Sequence, residues 1–177
     1  MNWNRLRLAL KQVLHWLAPQ RSAEPLAVSH PVLGELAGTA DELHGSTALG
    51  ARSLKLTVRR DDQAMETTLA LAEQVIAHLP ALHERSLRRI ADGFLVSYND
   101  DWRVGQTVDA DGRRVRFENP ALSAEAFCVQ FALTTVEAGG CDVVALWYDC
   151  GELFWGHGFC VTSFDGVAGE LHAEMLG

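Results

Sequence analysis

Apolar and polar positions alternate most clearly at residues 52–59. Leu54, Leu56 and Val58 are separated by Ser53, Lys55, Thr57 and Arg59. A period of two puts each set on its own face, so this segment reads as a strand with one wet face. Shorter strands are expected at 32–37 and 42–45, with turns at Gly45-Ser46 and Gly50. The period then changes. Met65, Leu69, Ala72 and Ile76 follow helical spacing and predict a helix over about 62–78, capped by Asp61 or Asp62. Pro80 suits the first turn of a helix, so a second helix is expected over about 81–97. Its inward side would carry Leu87, Ile90, Ala91, Phe94 and Leu95. Gly93 lies inside it at a cost of roughly 1 kcal/mol relative to alanine, which hints at close packing. Asn99, Asp100 and Asp101 favour a helix end, because their side chains compete for local backbone groups.

Residues 103–121 read as irregular, with a turn at Asp109-Ala110-Asp111-Gly112, and Ser123 starts a short helical turn. Beyond it the pattern is β. Runs at about 128–137, 142–150, 157–164 and 168–176 are separated by Gly139-Gly140, by a stretch bracketed by Gly151 and Gly156, and by Asp165-Gly166. Connections this short force antiparallel neighbours, which predicts a four-stranded meander. The middle two runs are apolar on both faces, so a central place with cover on both sides is expected. Before all of this, Trp3, Leu6, Leu10, Val13, Leu14 and Leu17 fall at spacings of three and four, and predict an amphipathic helix within residues 1–18. Pro19, Ser22, Pro25, Ser29 and Pro31 mark a linker over 19–31. The expected fold is α+β: an antiparallel sheet with a C-terminal four-stranded meander, two central helices on one face, and the N-terminal helix attached to a single domain over 32–177.

Composition narrows the function classes. The 177 residues carry a net charge of −8, yet residues 1–23 hold Arg5, Arg7, Lys11 and Arg21 and no acid. The acidic remainder argues against nucleic-acid binding, which needs clustered Lys and Arg, and suits a basic partner. No run approaches the roughly 18–20 apolar residues of a membrane span, and no signal peptide is read, so the cytoplasm is the expected compartment. Cys128, Cys141, Cys150 and Cys160 lack Cys-x-x-Cys spacing and sit in apolar runs, which reads as buried, reduced thiols. No metal or cofactor is expected. The basic N-terminal helix offers a route to a homodimer.

Chemistry-bearing side chains concentrate at Tyr148-Asp149-Cys150-Gly151-Glu152-Leu153-Phe154-Trp155-Gly156-His157. Asp149 and His157 flank the expected turn, as an acid–base pair would, while Glu152 at the turn points to solvent. The plainer reading is that His157 hydrogen-bonds the backbone and pins the hairpin, with Phe154 and Trp155 covering the sheet edge. Asn99, Asp100, Asp101 and Trp102 form a second cluster, a capped helix end or a binding lip. No Gly-x-Ser-x-Gly elbow, phosphate loop or dinucleotide fingerprint occurs. A catalytic Cys150 or Cys160 would need an electropositive setting that the local sequence lacks.

Leu33-Gly34-Glu35-Leu36, the helix end Tyr98-Asn99-Asp100-Asp101-Trp102, the entry Leu122-Ser123-Ala124-Glu125-Ala126-Phe127, the segment Leu153-Phe154-Trp155-Gly156-His157 and the terminal strand running to Gly177 occur in that order. In this order residues 32–177 resemble the bacterial DUF2262 family, a domain of unknown function. The resemblance implies an α+β domain and brings no catalytic residues. By association with small bacterial domains of this kind, it implies an immunity protein that neutralises a cognate toxin. The expected function is therefore non-enzymatic protein binding. Acidic and aromatic residues near Asp100, Trp102, Asp149, Glu152 and Trp155 would occlude a basic active site. The alternative is a small hydrolase using Asp149 and His157, with or without a metal.

Overall fold

A computed structural model describes residues 24–108 and 110–177. The expected N-terminal helix, and with it the dimer route, lies outside the described residues. Four strands come first: β1 Leu26–His30, β2 Gly34–Gly38, β3 Glu42–Leu49 and β4 Arg52–Arg59. They pair in sequence, each antiparallel to the next. Strand β1 falls inside the stretch read as linker, where alternation over five residues is too short to stand out. The expected turn at Gly45 is instead the middle of β3. A Cβ there would stand 2.5 Å from Leu36 Cδ2 and 3.0 Å from the Glu35 carbonyl oxygen, so the glycine lets β2 lie close against β3.

One helix follows, α1 Met65–Ser97, where two were expected. Pro80 sits in its interior, on the exposed side, instead of opening a second helix. An interior proline costs about 3 kcal/mol or more through its missing N–H and its clash with the preceding turn. Val75, Leu79, Leu82 and Ile90 are fully buried on the opposite side, at 0–1% exposure. Burial of each such side chain contributes roughly 1.5–3 kcal/mol, so the continuous apolar stripe outweighs the proline. Neither aspartate caps the helix. Its first turn follows Ala64, and Asp61 lies in the preceding turn with φ 51°.

After α1 the chain makes a single π turn, Tyr98–Trp102, and a hairpin of β5 Val104–Val108 and β6 Arg114–Glu118. This hairpin occupies the stretch expected to be irregular. Its strands pair with each other, and Val108 and Val115 stay exposed, so the alternation of Arg114, Arg116 and Glu118 with Val115 and Phe117 spans only five residues and marks no well-buried face. Helix α2 Ala124–Cys128 opens with the Ser123 hydroxyl accepting from the Ala126 amide at 3.3 Å. Then come β7 Ala132–Gly139, β8 Val143–Asp149, β9 Gly158–Ser163 and β10 His172–Leu176, the expected antiparallel meander. The last connection is longer than a tight hairpin. Arg85 of α1 holds it down by donating to the Val167 and Gly169 carbonyls at 2.8 and 2.7 Å.

The two meanders form one sheet in the order β1-β2-β3-β4-β7-β8-β9-β10. They join through β4 and β7, which run parallel with Leu56 opposite Val136 and Val58 opposite Ala138. This one parallel contact breaks the expected all-antiparallel pattern. It arises because the chain between β4 and β7 crosses the sheet through α1 and returns at the same end. The core lies between α1 and the inner sheet face, where Leu43, Leu56, Val58, Val136, Leu146 and Val161 point.

Among the described residues, no helix or strand packs over the outer face, so the expected second cover of β8 and β9 is missing. Its apolar members are mostly small: Ala145 and Cys160 are buried among their neighbours. Trp147, however, stays 36% exposed.

Gly93 has open space around the position a Cβ would take, so close packing does not explain it. Gly93→Ala is expected to stabilise the protein by roughly 0.5–1 kcal/mol. Gly45→Ala is expected to destabilise it by about 1–3 kcal/mol through overpacking. Urea unfolding of the two variants checks both signs.

Candidate functional site

The loop of residues 150–157 joins β8 to β9 and is built from three successive turns. The amides of Leu153, Trp155 and His157 donate to the carbonyls of Cys150, Glu152 and Phe154 at 3.1–3.2 Å. Asp149 Oδ1 accepts from the Gly151 amide at 2.8 Å and so starts the first turn. Cys150 Sγ donates to the His157 carbonyl across the loop at 3.2 Å. It is thus the backbone of His157 that closes the loop. Its ring packs edge-on against Trp102, at a centroid distance of 5.5 Å.

Phe154 was expected at the sheet edge and is instead wholly buried. Its ring meets Phe94, Tyr98, Trp102, Phe127 and Phe159 at centroid distances of 5.0–6.4 Å. A turn rich in glycine and carboxylates reads as surface, and nothing local marks Phe154 as its inward-pointing member. Trp155 next to it is 54% exposed and has φ 54°. Left-handed backbone at a bulky residue costs of order 1–3 kcal/mol and persists only where surrounding contacts hold it. Here Trp102 packs against the indole at 5.1 Å. Gly105 of β5 leaves room for it too, since a Cβ there would lie 2.6 Å from Phe117 Cζ and 3.1 Å from Trp155 Cζ2.

The two clusters separate in sequence therefore meet in space. Trp102 bridges them, touching Phe154, Trp155 and His157. Asn99 is structural. Its side-chain amide donates to the Leu122 carbonyl at 3.0 Å and accepts from the Leu122 amide at 2.9 Å, pinning the segment that leads into α2. Asp100, Asp101, Asp149 and Glu152 are exposed around this aromatic junction. From Phe117 to Gly177 the chain holds Glu118, Glu125, Glu137, Asp142, Asp149, Glu152, Asp165, Glu170 and Glu174 and no Lys or Arg. The stretch is thus acidic in itself, with Glu118 and Glu137 paired to Arg103 and Arg59 from outside it.

A shallow groove of about 520 Å³ opens beside the loop on the outer sheet face, lined by Glu137, Trp147, Asp149, His157 and Leu176 among others. Asp149 and His157 share this groove, but the hydrogen bond found for Asp149 goes to the turn. Among the described residues there is no group of three or more His, Cys, Asp or Glu placed to hold a metal ion. All four cysteines are free. Cys150 and Cys160 are buried, Cys128 is half-buried, and Cys141 is exposed in the turn after Gly140, contrary to its expected burial. Burial pushes the thiols of Cys128, Cys150 and Cys160 up, which opposes a nucleophilic role.

One polar contact in the core escaped sequence reading. His83 Nδ1 lies 3.1 Å from the Tyr148 hydroxyl, and the two rings stack. Burial pushes the Tyr148 phenol up. It pushes His83 down, aided by the positive charge of Arg52. A His83 whose pKa is depressed in the fold takes up a proton on unfolding once the pH drops below about 6.5. Stability is then lost as pH falls from that value toward the folded pKa. His83→Gln is expected to lose less stability than the parent between pH 7.5 and 5.5, read from urea midpoints. At constant pH, Phe154→Ala is expected to cost about 3–5 kcal/mol in the same measurement.

No curated protein and no solved structure matches the chain. The family model described as "Uncharacterized protein conserved in bacteria (DUF2262)" matches residues 39–167. That span includes the π turn, the entry to α2 and the 150–157 loop, and leaves out β1, β2 and β10. With its matched span covering most of the 177 residues, the chain belongs to the DUF2262 family.

Proposed function

We propose that this protein is a non-enzymatic binding module for a basic protein surface, and that Trp155 is its anchor. One observation carries the reading. An exposed tryptophan is held in left-handed backbone and packed against a second tryptophan, with Asp100, Asp101, Asp149 and Glu152 exposed nearby. Binding energy at protein interfaces concentrates in rigid aromatic anchors. Surrounding charge of one sign steers a partner of the other and fixes its register. The most concrete form is a bacterial immunity protein that neutralises a cognate toxin by laying this acidic and aromatic surface over a basic active site. Its proposed place is the cytoplasm. That fits four free cysteines and the finding that, among the described residues, no helix is long and apolar enough to cross a membrane. The hydrolase alternative has less behind it, since Asp149 and His157 share a groove while Asp149 holds the turn.

The test begins with purification of the basic partner from the native host and direct measurement of affinity. Trp155→Ala is expected to weaken binding about 30-fold, and Asp100→Lys and Glu152→Lys about tenfold each, with the charge effects shrinking at high salt. Unchanged affinity in all three variants overturns the reading.

A further inference from the structure

The shallow groove of about 520 Å³ on the outer sheet face is built around one oriented ring. Trp147 is 36% exposed, and Glu137 fixes its indole by accepting from Nε1 at 3.3 Å. Glu137 is itself held by Arg59. Beside the ring the groove has a glycine floor. Within 4 Å, a Cβ on Gly158 would meet only the Tyr148 carbonyl oxygen, at 3.6 Å, so the missing side chain leaves open space. Asp149, His157 and Leu176 stand around that floor, with Leu176 directly opposite Gly158 in the ladder. The volume falls in the range of about 300–1,000 Å³ common for small-ligand sites.

The polar groups have capacity to spare. Asp149 Oδ1 accepts from the Gly151 amide, which leaves Oδ2 open. Among the described residues, neither the Thr135 hydroxyl nor the His157 ring nitrogens have a hydrogen-bond partner. Charge is balanced. The carboxylates Glu137 and Asp149 are matched by Arg59, bound to Glu137, and by Lys55, which is paired with Thr135 across β4 and β7. A balanced groove gives little pull on a strongly charged ligand. It suits a neutral molecule with one apolar face for the indole. The rim of that molecule must donate to carboxylates and accept from hydroxyl and ammonium groups. A pyranose ring has this construction, with C–H bonds across one face and hydroxyls around its edge. A flat base would leave its second face in water, because Trp147 is the one large ring exposed in the groove among the described residues.

We propose that this groove binds a neutral saccharide, one pyranose ring lying on Trp147 over the Gly158 floor with its hydroxyls toward Thr135, Asp149 and His157. Trp155 takes no part in it. The inference therefore stands apart from the protein-binding reading, and its test uses the isolated protein.

Nuclear magnetic resonance of the nitrogen-labelled full chain resolves the indole signals of its five tryptophans. They are followed during titration with maltose, cellobiose, lactose and diacetylchitobiose in turn, with choline and guanosine as controls. The expected result is a saturable shift of the Trp147 indole with at least one of the four saccharides, at a Kd of about 1 mM. The Trp155 indole stays still, and both controls are inert. Gly158→Val fills the floor at a strand position that suits a β-branched side chain, and is expected to weaken binding about tenfold with the fold intact. Trp147→Ala is expected to abolish it. Thr135→Val, about threefold weaker, serves should either variant fail to fold. The proposal is overturned if none of the four saccharides moves the Trp147 signal. A response to choline or guanosine in place of the saccharides overturns it too, as does unchanged affinity in a folded Gly158→Val or Trp147→Ala.

Discussion

Burial of Phe154 is the contact on which the 150–157 loop and the helix end beside it depend. A loop of eight residues with two glycines has little reason to hold one shape, because its turns contribute few bonds and its ordering entropy is large. A phenyl ring with no exposed surface changes that balance. It draws the loop into the space between the end of α1, the start of α2 and β9. With the ring in place, the next residue must turn outward, and the following glycine takes up the remaining strain at φ 85°.

The helix end answers the loop from the other side. In the π turn the Arg103 amide donates to the Tyr98 carbonyl, five residues back. Tyr98 and Trp102 can both face the Phe154 cluster while Asp100 and Asp101 face out. Arg103 then fastens the exit by donating to the Asn99 carbonyl, Glu118 and the Asn119 carbonyl. Two acidic segments about fifty residues apart in sequence thereby flank one aromatic junction. Further back, the parallel pairing of β4 with β7 sets where this junction stands relative to the sheet, since it fixes the crossover that carries α1, the hairpin and α2.

Much of this was legible in the sequence where a single element decides its own pattern. The β4 alternation, the C-terminal meander and the Ser123 cap all rest on local periodicity or local hydrogen bonding. Pro80 misled because local propensity argues for a break and only the continuous buried row from Val75 to Ile90 overrides it. The β5–β6 hairpin was missed because its strands are only five residues long, β5 carries no charge to contrast with its apolar positions, and both strands lie largely in solvent. Glycines were ambiguous in the same way. Gly45 answers to a leucine on a neighbouring strand, and Gly93 answers to nothing nearby. The candidate residues Asp100, Asp101, Trp102, Asp149, Glu152, Trp155 and His157 were chosen by type, and the fold brings Trp102, Trp155 and His157 into contact. That Asn99 serves the backbone, that Phe154 lies inward and that Trp102 joins the clusters follow from tertiary contacts alone.

The central claim is that the π turn and the 150–157 loop are one cooperative unit held by Phe154. Amide hydrogen exchange in Phe154→Leu tests it most directly, since leucine keeps the site apolar while removing the ring contacts. The account predicts that the amides of Arg103, Trp155 and His157 lose protection together and by similar factors, while those of β3 and β4 keep theirs. Faster exchange at Trp155 and His157 with Arg103 unchanged would mean that loop and helix end are held independently, and would contradict it.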